Sequence, residues 1–275
     1  MSPLAPIGAC AARSRATRFN RAMAYSFVTM RKRALARVLV TFVACMFAMQ
    51  TTSAMTEADP KKIFPDPKAA ALAEAAADGD AAKVKALVAS GADPNAHGER
   101  NVTLLEWAML RQSPNGLAAL LDNGADASQP GVGGATPLHI AAMANDPRYL
   151  KILLDHGANP NAPHGTTGEP PLSASLMNPD GRAFDLLLLH HADPNRADRL
   201  GNTPLIVAAK THKPDAVLRL LEAGADASHR NERGDTFQTY FNIAPAGGFN
   251  ADAKKKHDAV SAWLTAHGVA AQGTR

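Results

Sequence analysis

The chain has 275 residues, 46% of them hydrophobic and 5% aromatic, and a formal net charge of +4. That length allows one or two ordinary domains. The charge is unevenly placed: residues 1–54 hold eight Lys or Arg and no acid, which leaves 21 basic against 25 acidic residues in 55–275, so the main part of the chain lacks the basic footprint that a nucleic-acid partner needs.

Both cysteines, Cys10 and Cys45, fall within the same N-terminal stretch, and a protein without cysteine is indifferent to redox compartment. Residues 31–54 read as a secretory signal. Arg31-Lys32-Arg33 and Arg37 form a basic start, Val38 to Met49 an apolar run, and Thr52-Ser53-Ala54 a small-residue cleavage site. The run falls short of the roughly 20 apolar residues of a membrane span. Met30 is the expected start, with 1–29 an overhang; an Arg-rich transit peptide is the competing reading of that overhang. Export to the periplasm of a Gram-negative bacterium is expected. The alternative is a membrane-anchored lipoprotein, because Phe42-Val43-Ala44-Cys45 approximates a lipidation box at Cys45.

Residues 55–67 read as a linker, since Pro65 and Pro67 push their preceding residues towards extended geometry. Helices are expected from about Lys68. The stretch Gly91-Ala92-Asp93-Pro94-Asn95 then returns as Gly124-Ala125-Asp126-Ala127-Ser128, Gly157-Ala158-Asn159-Pro160-Asn161, His191-Ala192-Asp193-Pro194-Asn195 and Gly224-Ala225-Asp226-Ala227-Ser228, at steps of 33, 33, 34 and 33 residues. A fixed period in this range means stacked supersecondary units. Six are expected: 68–100, 101–133, 134–166, 167–200, 201–233 and 234–269, with 270–275 a tail. The first departs from the pattern, as terminal units do. The second opens on Thr103-Leu104-Leu105-Glu106-Trp107, where Trp107 occupies a core position and is read as buried, a contact anchor being the other reading. The third opens on Thr136-Pro137-Leu138-His139, with Thr136 a helix cap and Pro137 at the first helical position. The fourth carries the extra residue, placed in the loop 163–169, and the sixth has an enlarged inter-helix loop and a long last helix, 251–267, ending at Gly268.

Thr136-Pro137-Leu138-His139-Ile140-Ala141-Ala142 and Thr203-Pro204-Leu205-Ile206-Val207-Ala208-Ala209, together with the five exits of Gly-Ala-Asp type, resemble the ankyrin repeat. The resemblance covers about 68–269. It implies an all-α solenoid of helix-turn-helix units with finger loops, and a non-catalytic module that binds another protein on a concave face of fingers and inner helices. It implies no cofactor and no small-molecule substrate. Exported ankyrin-repeat proteins resembling this one can neutralise a secreted toxic effector such as a phospholipase; an envelope stress-defence scaffold is the alternative. His139 is implied to make structural hydrogen bonds between repeats.

The chemistry-bearing residues favour the same reading. The ten histidines include no His-x-x-x-His pair, and a metal site needs three or four convergent ligands. His156, His190 and His267 recur at outer-helix ends, where an imidazole meets the last carbonyls. Asp93, Asp126, Asp193 and Asp226 are read as turn residues bonding nearby backbone. Gly131-Val132-Gly133-Gly134 lacks the strand and the lysine of a phosphate loop, and Ser113, Ser173 and Ser175 lack a nucleophile elbow. The candidate partner-binding residues are Arg100, Val132, His164, Arg199 and Arg233 on fingers, and Leu110, Arg111, Met143, Met177, Asn178 and Lys210 on inner helices.

Overall fold

A computed structural model describes residues 59–243, 248 and 250–270 of the protein. The expected signal segment 31–54 with Cys45, Phe249 and the tail beyond Ala270 lie outside these residues. Among the described residues are thirteen α-helices. The first, α1 (Pro60–Ile63), precedes six helix pairs: α2 (Pro67–Asp78) with α3 (Ala81–Ala89), α4 (Leu104–Leu110) with α5 (Pro114–Asp122), α6 (Pro137–Met143) with α7 (Pro147–Asp155), α8 (Pro171–Ser175) with α9 (Arg182–Leu189), α10 (Pro204–Lys210) with α11 (Pro214–Glu222), and α12 (Phe237–Phe241) with α13 (Ala251–Ala266). No helix among the described residues is long and apolar enough to cross a membrane.

Short helices cannot hold themselves together in water, so each is fixed by its ends and its neighbours. Thr103 accepts the Glu106 amide at 3.1 Å and Asp66 the Ala69 amide at 2.9 Å. Proline opens seven of the pair-forming helices, where its missing N–H costs nothing. The outer helices stop at left-handed glycines, Gly124 at φ +92° and Gly224 at φ +89° among them; in the fourth unit His191 takes that conformation at φ +62°. Consecutive inner helices pack on each other, and the fully buried pairs Ala141-Ala142 and Ala208-Ala209 keep their backbones close. Each unit then leans on its neighbours, so the core runs along the stack.

Closest of all is the approach of α5 to α2: a Cβ on Gly116 would lie 1.8 Å from the Ala76 carbonyl oxygen. Backbone cannot move aside as a side chain can, so Gly116→Ala is expected to destabilise the protein by about 1–3 kcal/mol, the usual cost of overpacking. A lowered urea midpoint with an unchanged slope checks it.

The linker assignment for 55–67 is corrected over its described part. Asp59 accepts the Lys61 amide at 3.0 Å and Pro60 opens α1, so Asp-Pro starts a helix here. Phe64 behind it is buried and meets the Trp107 ring edge-on, centroids 5.8 Å apart. A Cβ on Gly98 would lie 2.7 Å from the Ile63 carbonyl oxygen, so α1 closes the first end of the stack against the first finger. Trp107 itself is fully buried, its indole N–H donating to the Ala73 carbonyl at 3.0 Å. At the other end Phe237, Phe241, Val260 and Leu264 are buried under α13, and Lys256 joins α13 to Asp215 of α11 at 2.7 Å.

Candidate functional site

Each repeat exit is an Asx turn. The first carboxylate or amide oxygen accepts the amide two residues on: Asp93 from Asn95 (2.9 Å), Asp126 from Ser128 (2.8 Å), Asn159 from Asn161 (2.9 Å), Asp193 from Asn195 (2.8 Å) and Asp226 from Ser228 (2.8 Å). The aspartates are therefore turn residues. Where the turn ends in Asn, its amide bridges to the next repeat. Asn95 donates to the Gly124 carbonyl (3.1 Å) and accepts the Asp126 amide (2.7 Å); Asn195 does the same with Gly224 (3.1 Å) and Asp226 (2.7 Å); Asn161 accepts the Asp193 amide (2.7 Å). Ser128 stands at the same register and is too short to bridge. Ser128→Asn places an amide opposite the Gly157 carbonyl and the Asn159 amide, and is expected to stabilise the protein by about 1 kcal/mol, the net worth of a hydrogen bond. A raised urea midpoint checks it.

Every inner helix after the first is preceded by a finger closed by a backbone hydrogen bond: Gly98 N–H to Val102 O, Gly131 to Ala135, Asp198 to Asn202 and Asn231 to Asp235, each spanning four residues. The third finger closes from His164 to Glu169, five residues, which is where the extra residue sits. Neighbouring fingers are stitched by Gly165 N–H to Gly134 O (2.7 Å), Arg199 to Thr167 (2.9 Å) and Glu232 to Leu200 (3.1 Å). Asn101 joins the first two through its side-chain amide, to Pro130 O at 2.8 Å and Gly131 O at 3.2 Å.

Two buried groups hold fingers from beneath. His139 Nδ1 lies 3.3 Å from the Thr136 amide and 2.8 Å from Thr136 Oγ1, and Nε2 lies 2.8 Å from the Glu169 carbonyl. A backbone donor on one nitrogen and a carbonyl on the other fix the neutral Nε2–H tautomer; burial pushes its pKa down to about 4. One unit earlier the same register holds Glu106, which accepts the Thr103 amide at 2.9 Å and the Val132 amide at 3.2 Å. Burial pushes its carboxyl up, against the pull of those amides. Thr103-x-x-Glu106 is a capping box, a signal legible in the sequence and not used in reading it. In the fourth unit Ser173 takes this register, and its buried hydroxyl has no partner.

The candidate residues divide into exposed and engaged. Arg100, Val132, Met143, Met177, Arg199 and Arg233 are exposed, Met177 most among the apolar ones at 58%. Arg199 also donates to the Gly165 carbonyl at 2.8 Å. Leu110 and Arg111 are half-buried, Arg111 lying over the Trp107 ring at 5.6 Å. Three are less exposed than their register implies. Asn178 is buried and donates to the Ala144 carbonyl at 2.6 Å, tying α8 to the previous unit. His164 turns inward, its ring edge-on to His139 at 5.5 Å and its Nδ1 3.1 Å from Thr166 Oγ1. Lys210 is half-buried, with Nζ 2.5 Å from Asn202 Oδ1 and 4.7 Å from the Tyr240 ring centre. Ile243, missing from the expected set, is 51% exposed at the end of the sixth inner helix. At outer-helix ends His156 and His267 bond the carbonyls of Ile152 (2.7 Å) and Trp263 (2.8 Å). Among the described residues no three His, Cys, Asp or Glu side chains are grouped to hold a metal ion.

Family models described as ankyrin repeats (3 copies) and ankyrin repeats (many copies) match residues 72–164 and 186–237. The chain belongs to the ankyrin-repeat family. The gap between the two matches, 165–185, holds the enlarged finger and the Pro170-Pro171 start of the fourth repeat. No curated protein matches the chain. Among solved structures it is similar to the ankyrin repeat domain of Bcl-3, a unique member of the IkappaB protein family, with a TM-score of 0.58 and 28% identity over 67% of this chain and 80% of that one. The ankyrin repeats make this chain a protein–protein interaction module.

Proposed function

We propose that this ankyrin-repeat protein is exported and binds one partner protein through the face made by its inner helices and fingers, without itself catalysing a reaction. The observation that carries the binding face is the pair Met143 and Met177, which occupy the same register on successive inner helices and stand 40% and 58% exposed. A core position would bury them, and methionine is an adaptable contact residue. The export reading rests on the basic start, apolar run and small-residue site of 31–54.

The test compares the protein with a Met143→Glu, Met177→Glu double variant, each used as bait in the envelope fraction of the source organism. A single stoichiometric partner held by the protein and lost by the variant is expected, with affinity reduced at least about 30-fold, the scale of an interface hot spot. Both baits should show the same circular dichroism and urea midpoint, since the two side chains are exposed. A partner retained unchanged by the variant overturns the proposed face. N-terminal sequencing of the protein recovered from cells tests export; an N-terminus at Met1 or Met30 would overturn it.

A further inference from the structure

The register shared by Met143 and Met177 continues through the array. The residue seven after each helix-capping position (Thr103, Thr136, Pro170, Thr203, Thr236) is Leu110, Met143, Met177, Lys210 and Ile243 in turn. Four are apolar, and the three at the ends of α6, α8 and α12 are 40%, 58% and 51% exposed. Packed helices sit about 8–10 Å apart, so the stack offers one such side chain every 10 Å or so along its length.

That spacing selects between the two shapes a bound segment can take. Seven residues of α-helix advance about 10.5 Å and return to nearly the same face. Three residues of extended chain advance about 10 Å but turn the side chain to the opposite face. An extended segment therefore meets only alternate repeats, whereas a helix meets all of them. Strand addition needs a free backbone edge, and amides of the third, fourth and fifth fingers already donate to the finger before them, at Gly165, Arg199 and Glu232.

The charges on the line set polarity. Lys210 interrupts the apolar positions. Its ammonium is held by a neutral amide oxygen and a ring face, and none of the ion pairs among the described residues includes it. The two carboxylates that act on it through space, Asp198 and Asp235, also accept hydrogen bonds from other groups. Asp198 accepts from the Leu200 and Asn202 amides, and Asp235 from the Tyr240 hydroxyl. Arg199 and Arg233 are exposed on the fingers to either side. Burial also lowers the Lys210 pKa, a cost that an incoming carboxylate relieves.

We propose that the partner presents one amphipathic α-helix that lies along this stripe, with apolar residues seven apart facing Leu110, Met143 and Met177 and an acidic residue one further heptad on facing Lys210. The proposal rests on the binding face assigned above. It is tested by display selection on the full-length protein with a library of random peptides of about 30 residues, the length of helix that spans the stripe. Enriched peptides are expected to repeat apolar residues at seven, to carry Asp or Glu at the next heptad step, and to gain helical circular dichroism on binding. Met177→Glu should weaken the selected peptide at least tenfold. Lys210→Glu should weaken it similarly and be rescued when the peptide acid is exchanged for Lys. Peptides that lose binding with Met177→Glu yet bind without helix, or with apolar residues alternating, overturn the helix and leave the face standing. Peptides indifferent to Met177→Glu, or no enrichment at all, count against both.

Discussion

Trp107→Ala is expected to lower the stability of the protein by about 3–5 kcal/mol, the cost of emptying a large core site. The indole is fully buried between α2 and α4, donates to the Ala73 carbonyl, and carries the Phe64 ring on its edge and the Arg111 guanidinium over its face. Removing it takes away a packed volume that the short helices around it cannot refill, and releases Phe64, the residue that fixes α1. Trp107→Phe keeps most of the volume and loses the N–H bond, so it should cost far less, on the order of 1–2 kcal/mol. Urea unfolding of both variants separates the terms. In an array coupled only through neighbours, the alanine variant should also lose amide-exchange protection first in α1 to α3. A loss below about 1 kcal/mol would mean that Trp107 is not the anchor of this end.

The second large effect is expected on acidification. His139 has a folded pKa of about 4 against 6.5 for the free side chain. Between those values the unfolded chain binds a proton that the folded chain refuses, so stability falls as pH drops from above 6.5 towards 4 and levels off below. At about 1.4 kcal/mol per pKa unit the full loss is about 3 kcal/mol. His164, also lowered by burial and by Arg199, acts in the same direction. Glu106 and Glu169 have raised pKa values and oppose it, because a carboxyl raised on folding adds stability as pH falls through its folded value. The lowered aspartates, such as Asp126 and Asp226 beside their turn serines, act only below the window of His139. Urea midpoints at pH 7 and pH 4.5 should differ more for the protein than for His139→Gln, which is weaker at pH 7 and flatter across the range. Equal slopes in the two would refute the assignment.

The parts of this fold that were legible in the sequence are the parts that repeat. The Gly-Ala-Asp exits, the Thr-Pro starts and the extra residue at 163–169 declare themselves by period, and exposed Met143 and Met177 follow from register alone. Trp107 was read as core because its register belongs to the core. Exposure departs from expectation where a side chain is claimed by a residue distant in sequence. Asn178 was assigned to the surface from its place after the inner helix, and is buried because the Ala144 carbonyl of the preceding repeat needs a donor. Lys210 is drawn down by Tyr240 of the following repeat, and His164 by His139. None of these partners is near in sequence, so no local pattern announces them. The α1 segment was missed for another reason. The sequence reading takes Pro65 and Pro67 as favouring extended chain, although Asp59-Pro60 and Asp66-Pro67 each place an acceptor before a first-position proline and so begin helices.

The missing amide at Ser128 has a wider consequence. The boundary between the second and third repeats has no asparagine bridge and no backbone bond between fingers; its polar ties run through the side chains of Asn101 and Glu106 and through His156 to Asp122. The boundary after Ser228 lacks the asparagine too, but keeps the Glu232-to-Leu200 stitch. A stack whose units are held only by their neighbours opens where its ties are sparse, so this seam should give way before the one ahead of it, where Asn95 bridges the exits and His97 meets Gln129. A segment lying across Leu110 and Met143 would clasp that seam shut, and the partner would then govern how the protein comes apart as well as where it is bound.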